Sequence, residues 1–256
     1  MDLLPPEGGV HLWLCAPGDA RDPALLARYR ALCTPDERAR EDTFLFEHDR
    51  HAYRVARALL RTVLAGCLGA PPSALAFSRG AHGRPELEGW GTSPPLRFNL
   101  SHAPGLAVLA VTAAGELGVD VEDVERPGEW VGGASNFFTP AEVSALARVP
   151  APRRRERFFE LWTLKEAYLK ARGTGLALPL DGFAFEMDEP GALRFTAHPD
   201  IDPAPDAWSF VLLAPGPRHR AAVALRHPGG APRLRCFRTL PLVRNEPAEC
   251  EILARS

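Results

Sequence analysis

Three carboxylates stand where a folded chain seldom leaves charge without a task. In Leu117-Gly118-Val119-Asp120-Val121-Glu122 the residues alternate as in a β-strand, with Leu117, Val119 and Val121 on one face and Asp120 and Glu122 on the other. Residues i and i+2 of a strand lie roughly 6.5 to 7 Å apart, so both carboxylates reach one cation directly or through its waters. Without a cation they repel, and an exposed polar strand face is the ordinary alternative. The third is Glu166, in Phe158-Phe159-Glu160-Leu161-Trp162-Thr163-Leu164-Lys165-Glu166-Ala167-Tyr168-Leu169-Lys170. At about 100° per residue, Phe158, Phe159, Trp162, Lys165, Glu166 and Leu169 share one side of a helix, while Glu156, Glu160, Thr163, Ala167 and Ala171 face away. A carboxylate among aromatic rings has to be hydrogen-bonded, paired or bound to metal, because an unpaired buried charge costs several kcal/mol. The plain alternative is an i,i+4 surface pair with Lys170. Three oxygen ligands together suit magnesium bound beside a substrate phosphate.

The elements that must carry these residues are legible around them. Val10 to Cys15 alternates as a first strand, and Pro23 to Cys33 is helical in pattern. Thr34-Pro35-Asp36-Glu37 is a capping box that opens a helix, and a longer helix from about His48 to Leu68 has Tyr53, Ala56, Leu60 and Leu64 as its core stripe. Strands are expected at Leu75 to Ser78, Leu96 to Leu100 and Leu106 to Thr112, with a turn at Ala81 to Pro85. Ala113-Ala114-Gly115-Glu116 then reads as a hairpin into the Asp120 strand. The order repeats: Thr139-Pro140-Ala141-Glu142 is a second capping box, followed by a long helix, a glycine stop at Gly173, and strands at Phe183 to Met187, Leu193 to Thr196, Trp208 to Leu213 and Ala221 to Leu225. We therefore expect an α+β fold of two similar halves, residues 1–115 and 116–230, related by a pseudo-twofold with the site in the cleft between them. Residues 231–256 form a tail, with a possible extra strand at Leu234 to Leu240 and a mobile last ten residues.

The whole chain sets broader limits. At 256 residues, 46% hydrophobic and 24% charged, it can bury a sizeable core as a soluble protein. A net charge of −2 gives no reason to expect nucleic-acid binding, so any phosphate must be met by local basic residues. Cysteines 15, 33, 67, 236 and 250 are odd in number and scattered, which indicates neither a disulfide framework nor a zinc site. No segment resembles a signal peptide or a membrane span, and a cytoplasmic monomer is expected.

Gly118-Val119-Asp120-Val121-Glu122 and, about 40 residues later, Trp162-Thr163-Leu164-Lys165-Glu166-Ala167-Tyr168-Leu169-Lys170 together resemble the paired signature of 4'-phosphopantetheinyl transferases of the surfactin-synthetase-activating type. Gly83-Arg84-Pro85 and Phe98-Asn99-Leu100-Ser101-His102 resemble that family's two other motifs, in the right order, over roughly residues 10 to 228. The resemblance implies transfer of 4'-phosphopantetheine from coenzyme A to a serine hydroxyl of an acyl or peptidyl carrier protein, with release of adenosine 3',5'-bisphosphate. It implies magnesium on Asp120, Glu122 and Glu166, with Glu166 as base and Lys170 at the leaving phosphate. Arg84, Pro85, Ser101, His102, Lys165 and Lys170 are then expected at coenzyme A, His102 near the 3'-phosphate and Lys165 at the pyrophosphate. Two positions depart from the pattern: Ala52 stands where many relatives carry a basic residue, and Glu37 where some have lysine. Arg40, Arg50 or Arg54 are the candidates to supply that charge, Arg50 foremost. Phe137-Phe138 is either a platform for a carrier helix or a hydrophobic staple. The rival readings are a magnesium-dependent phosphohydrolase acting on coenzyme A or a related nucleotide, and a non-catalytic carrier-binding protein.

Overall fold

The computed structural model describes residues 3–80, 84–90, 95–113, 115–187, 191–227 and 232–256. Gly83 of the Gly-Arg-Pro motif and Ala114 lie outside them. Five α-helices occur among the described residues: α1 (Pro23–Leu32), α2 (Pro35–Asp42), α3 (Glu47–Leu68), α4 (Pro140–Arg148) and α5 (Ala151–Arg172). The strands of the first part are β1 (Gly9–Cys15), β2 (Ala76–Arg79), β3 (Pro85–Glu88), β4 (Arg97–Ala103), β5 (Leu106–Thr112) and β6 (Glu116–Asp123). Later come β7 (Phe183–Glu186), β8 (Gly191–Ala192), β9 (Arg194–Ala197), β10 (Trp208–Gly216) and β11 (His219–Arg226). The chain ends in β12 (Arg233–Leu240), β13 (Arg244–Ala248) and β14 (Glu251–Arg255).

Two five-stranded sheets, ordered β13-β12-β1-β5-β4 and β6-β11-β10-β14-β8, stack face to face. Val10, Leu12, Val108 and Ala110 of the first meet Leu117, Val119, Val211 and Val223 of the second. On the outer side of the first sheet α3 packs Leu59, Leu60 and Leu64 against Trp13, Leu109 and Val111. The second sheet is covered by α5, whose Phe159, Leu164 and Tyr168 join Phe183, Trp208 and Phe210. The layers therefore run α3, sheet, sheet, α5, and burial of apolar area between four layers is what stabilises the whole.

Three expectations change here. The segment after Thr112 is no hairpin: β5 pairs with β1 and β4, whereas β6 pairs with β11 in the other sheet. The apolar face of β6 is better buried against the face of the first sheet than left half-exposed beside β5, so the chain crosses between layers. The tail is no loose appendage either. Strand β12 runs parallel to β1 where the extra strand was expected, and the last ten residues, expected to be mobile, include β14, which pairs antiparallel with β10. Alternation in Glu251 to Arg255 is too short and polar to have signalled that pairing. Finally, the side of α5 expected to face away is buried, with Thr163, Ala167 and Ala171 at 0–1% exposure. Gly118 explains it: a Cβ there would lie 2.1 Å from the Ala167 carbonyl oxygen and 2.4 Å from the Ala171 nitrogen. Only glycine lets the helix backbone rest directly on β6.

Candidate active site

The close approach at Gly118 sets Asp120 and Glu122 beneath one stripe of α5, Trp162, Glu166 and Lys170 at i, i+4 and i+8. Both sheets end at this seam, the first with β4 and the second with β6. An edge strand has unpaired backbone groups, and here side chains from the first half take them up. Val119 N donates to Asn99 Oδ1 at 2.9 Å, and the Leu117 carbonyl accepts from Arg84 Nη2 at 3.1 Å. From the same β4, the Ser101 hydroxyl donates to Asp120 Oδ1 at 2.9 Å, and the Lys170 ammonium donates to Ser101 Oγ at 2.8 Å and to Asp120 Oδ1 at 2.5 Å. Lys170 thus turns to Asp120 across the seam and is no surface partner of Glu166.

The carboxylates remain short of partners. Asp120 is buried and its Oδ2 makes no hydrogen bond among the described residues. Glu122 accepts from the Trp162 indole N–H at 2.9 Å and from Arg126, yet burial first and the Asp120 charge second hold its carboxyl above the usual range. No hydrogen bond or ion pair reaches the Glu166 carboxylate among the described residues. Burial and the charges of Asp120 and Glu122 push its pKa up to about 7, against the opposing pull of Lys170. No three His, Cys, Asp or Glu side chains are drawn together as a finished metal shell among the described residues, since Lys170 and Arg126 occupy part of the donor set. An orphaned buried oxygen on Asp120 and two carboxylates strained by like charge nevertheless fit a hard divalent cation, which would relieve all three.

Several expected ligands are elsewhere. Lys165 is fully buried on the other side of α5, pairing with Glu142 at 3.0 Å and donating to the Leu180 and Phe183 carbonyls at 2.7 Å each. Burial lowers its pKa, Glu142 opposing. A one-residue step from Glu166 is 100° around the helix, enough to put one side chain in the seam and its neighbour in the core. Lys165 is therefore corrected from a pyrophosphate contact to a structural tie. Arg50 donates to Glu47 at 2.9 Å and to the Phe44 carbonyl at 2.8 Å, local bonds at the start of α3. Arg54 serves the buried Glu41, and Arg40 lies over the Phe44 ring. Arg84 spends its guanidinium on backbone carbonyls of Lys170, Ala171 and Leu117, so its side chain is not turned to a ligand; burial lowers its pKa. Pro85 lines a cavity of about 420 Å³ together with Arg40, Tyr53, Arg57 and Arg61.

His102 sits on the rim with its side chain exposed, although enough protein and the Lys170 ammonium surround it to hold the imidazole below its usual pKa. Asp120 and Asp49 oppose that shift. Phe138 is core, 4.9 Å from Phe158, whereas Phe137 meets Trp162 edge-on at 5.0 Å and lines a 450 Å³ cavity with it. Sequence reasoning missed Asn99 and Trp162 as positioning groups. Both stood within the quoted motifs, and a buried amide or indole N–H that needs a partner was the available signal.

Residues 116–225 match the 4'-phosphopantetheinyl transferase superfamily, and residues 23–114 match the 4'-phosphopantetheinyl transferase N-terminal family. The 4'-phosphopantetheinyl transferase HetI of Nostoc sp. is 35% identical over 225 residues, 88% of this chain and 90% of that one. The chain belongs to the 4'-phosphopantetheinyl transferase superfamily. A phosphopantetheinyl transferase of Thraustochytrium sp. is 33% identical over 236 residues, covering 87% and 80% of the two chains. For the 4'-phosphopantetheinyl transferase Sfp of Bacillus subtilis the figures are 26% over 204 residues, 78% and 85%. A solved holo-[acyl-carrier-protein] synthase of Thermotoga maritima overlaps in part, with a TM-score of 0.36 and 27% identity over 44% of this chain and 62% of that one. Both halves of the molecule are thus those of a phosphopantetheinyl transferase, and the enzyme class expected from the motifs stands. No helix among the described residues is long and apolar enough to cross a membrane.

Proposed function

We propose that this transferase moves the 4'-phosphopantetheine group from coenzyme A to a serine hydroxyl of an apo acyl or peptidyl carrier protein, with magnesium, and releases adenosine 3',5'-bisphosphate. The observation that carries the reading is the Glu166 carboxylate, without a bonded partner among the described residues, set on α5 beside Lys170 and facing Asp120 of β6. With no bonded partner of its own among the described residues, the Glu166 carboxylate suits removal of the acceptor serine's proton, directly or through one water. Lys170, steadied by Ser101 and Asp120, keeps a positive charge within the cluster for the departing phosphate. His102, exposed on the rim, is free to meet the nucleotide's 3'-phosphate; a neutral imidazole still donates through one N–H. Magnesium would be held by Asp120, Glu122 and Glu166, where it neutralises phosphate charge during transfer. Five free cysteines agree with a reduced, cytoplasmic setting, and we propose that the protein acts as a monomer.

The test is to incubate the protein with coenzyme A, magnesium and a panel of apo carrier proteins, and to weigh the carriers by mass spectrometry. We expect a gain of one phosphopantetheine group on at least one carrier, abolished by chelator. Release of phosphopantetheine without any carrier, and no carrier modified, would overturn the reading in favour of a hydrolase.

A further inference from the structure

Arg84 comes from the first half of the chain, at the entry to β3, yet among the described residues each of its side-chain hydrogen bonds goes to backbone of the second half. Nη1 donates to the Ala171 carbonyl at 3.0 Å and the Lys170 carbonyl at 3.4 Å; Nη2 donates to the Leu117 carbonyl at 3.1 Å. The first two are C-terminal carbonyls of α5, groups that no intrahelical N–H can satisfy. Among the described residues Gly173, the left-handed stop of the helix, takes Leu169 and shares Lys170, and Arg84 gives the Ala171 carbonyl its partner from beyond the helix. The third carbonyl belongs to the open edge of β6. A guanidinium is a planar fork with five N–H donors, and a cation at a helix C-terminus also meets the negative end of the helix dipole.

What this bond pattern spans is the important point. Residue 117 is three positions before Asp120, and residues 170 and 171 are the last turn of the helix that carries Glu166. Among the described residues α5 and β6 are also tied by the Lys170–Asp120 ion pair, made by side chains that the reaction needs, and farther along by the Trp162–Glu122 hydrogen bond. A fork on backbone sets the same spacing without using reacting groups. We infer that Arg84 is a positioning residue, a clamp from the first half that fixes the α5-to-β6 distance and so the geometry of Asp120, Glu166 and Lys170, and no ligand of coenzyme A. The inference rests on the transferase reading for its kinetic consequence but not for its structural one.

Arg84→Lys separates the possibilities, because it keeps the charge and removes the fork. The clamp predicts that kcat falls tenfold or more while KM for coenzyme A changes by less than twofold, and that Arg84→Met behaves alike. It also predicts faster amide hydrogen exchange confined to peptides covering residues 117–122 and 166–173, measured by mass spectrometry well below the melting temperature. A raised KM for coenzyme A in Arg84→Met, restored by Arg84→Lys, would overturn the clamp and return Arg84 to the ligand. Unchanged kcat together with unchanged exchange would overturn it as well, whatever the melting temperature does. If the unaltered protein modifies no carrier, the transferase reading fails by itself, and the exchange measurement still decides on the clamp.

Discussion

The two halves contain the same local device, followed in the first by a hydroxyl and in the second by a carboxylate. In the first, Thr34 and Glu37 form a capping box at α2, and Glu37 also accepts from Arg57 and Arg61 of the next helix. Arg61 goes on to the carbonyls of Pro72 and Leu75, in the segment after that helix. In the second, Thr139 and Glu142 form the same box at α4, Glu142 accepts from Lys165 of α5, and Lys165 goes on to the carbonyls of Leu180 and Phe183. Both helices have 22 residues and both stop at a left-handed glycine, Gly69 or Gly173. Arg61 and Lys165 are therefore counterparts, each a buried cation that ties a helix start, a helix middle and the following chain together. One step further along, the counterparts diverge: Thr62 bonds the Ala58 carbonyl of its own helix, while Glu166 has no bonded partner among the described residues. The scaffold is repeated, and Glu166 stands in one copy of it where the other has Thr62.

That comparison is broken most severely at the diverged position. We expect Glu166→Ala and Asp120→Ala to lower transfer a thousandfold or more with circular dichroism unchanged, and Thr62→Val, at the matching place, to leave turnover within about twofold. Comparable losses at Thr62 and Glu166 would mean that the position matters to the fold in both halves.

Next in size are the counterpart cations. Lys165→Met strands the buried Glu142 carboxylate, which costs about 3 to 5 kcal/mol of stability on denaturant unfolding, whereas Arg61→Met leaves Glu37 paired with Arg57 and costs less. Lys165→Met measured well below its melting temperature should keep KM for coenzyme A near normal. A selective rise in that KM, without loss of stability, would restore the pyrophosphate role.

Lys170 differs from both, because its partner Asp120 is buried in the seam. Lys170→Met should lower turnover ~100-fold, equivalent to about 2.7 kcal/mol of transition-state stabilisation, and also lower the melting temperature, since Asp120 then faces Glu122 and Glu166 alone. Full turnover would remove the ammonium from the reaction.

The smallest effect is a pH dependence of stability. Glu166 has a folded pKa of about 7 against 4.5 as its ordinary value, so between those limits the folded state holds the proton more tightly than the unfolded one. Its contribution is intact below about pH 4.5, is lost as pH rises through about 7, and stays lost above. Without metal, Glu166→Gln should thus raise the melting temperature at pH 8 by a few degrees and by progressively less toward pH 5. Adding magnesium should stabilise the unaltered protein at pH 8 and the variant much less.

Much of this was legible before any coordinates. Alternation placed Asp120 and Glu122 on one strand face, the two Thr-Pro-x-Glu boxes announced the duplication, and the spacing of the motifs pointed to the superfamily. Helical periodicity was least informative for α5, because a helix packed on nearly every side has no empty face for the pattern to mark.

What the sequence determined by itself is local: caps, strand faces, helix stops, and which residue types are present in which order. Tertiary structure alone decided where each donor goes. That Lys165 turns to Glu142 and Lys170 to Asp120 depends on Gly118 letting α5 settle onto β6. That β6 leaves β5, and that the last residues close the second sheet, depends on which apolar faces find each other. Arg84 and Asn99 meet the open edge of β6 because two sheets end at one seam. Hydrogen bonds and ion pairs between distant segments follow from packing, and packing is a property of the whole chain that no window of residues contains.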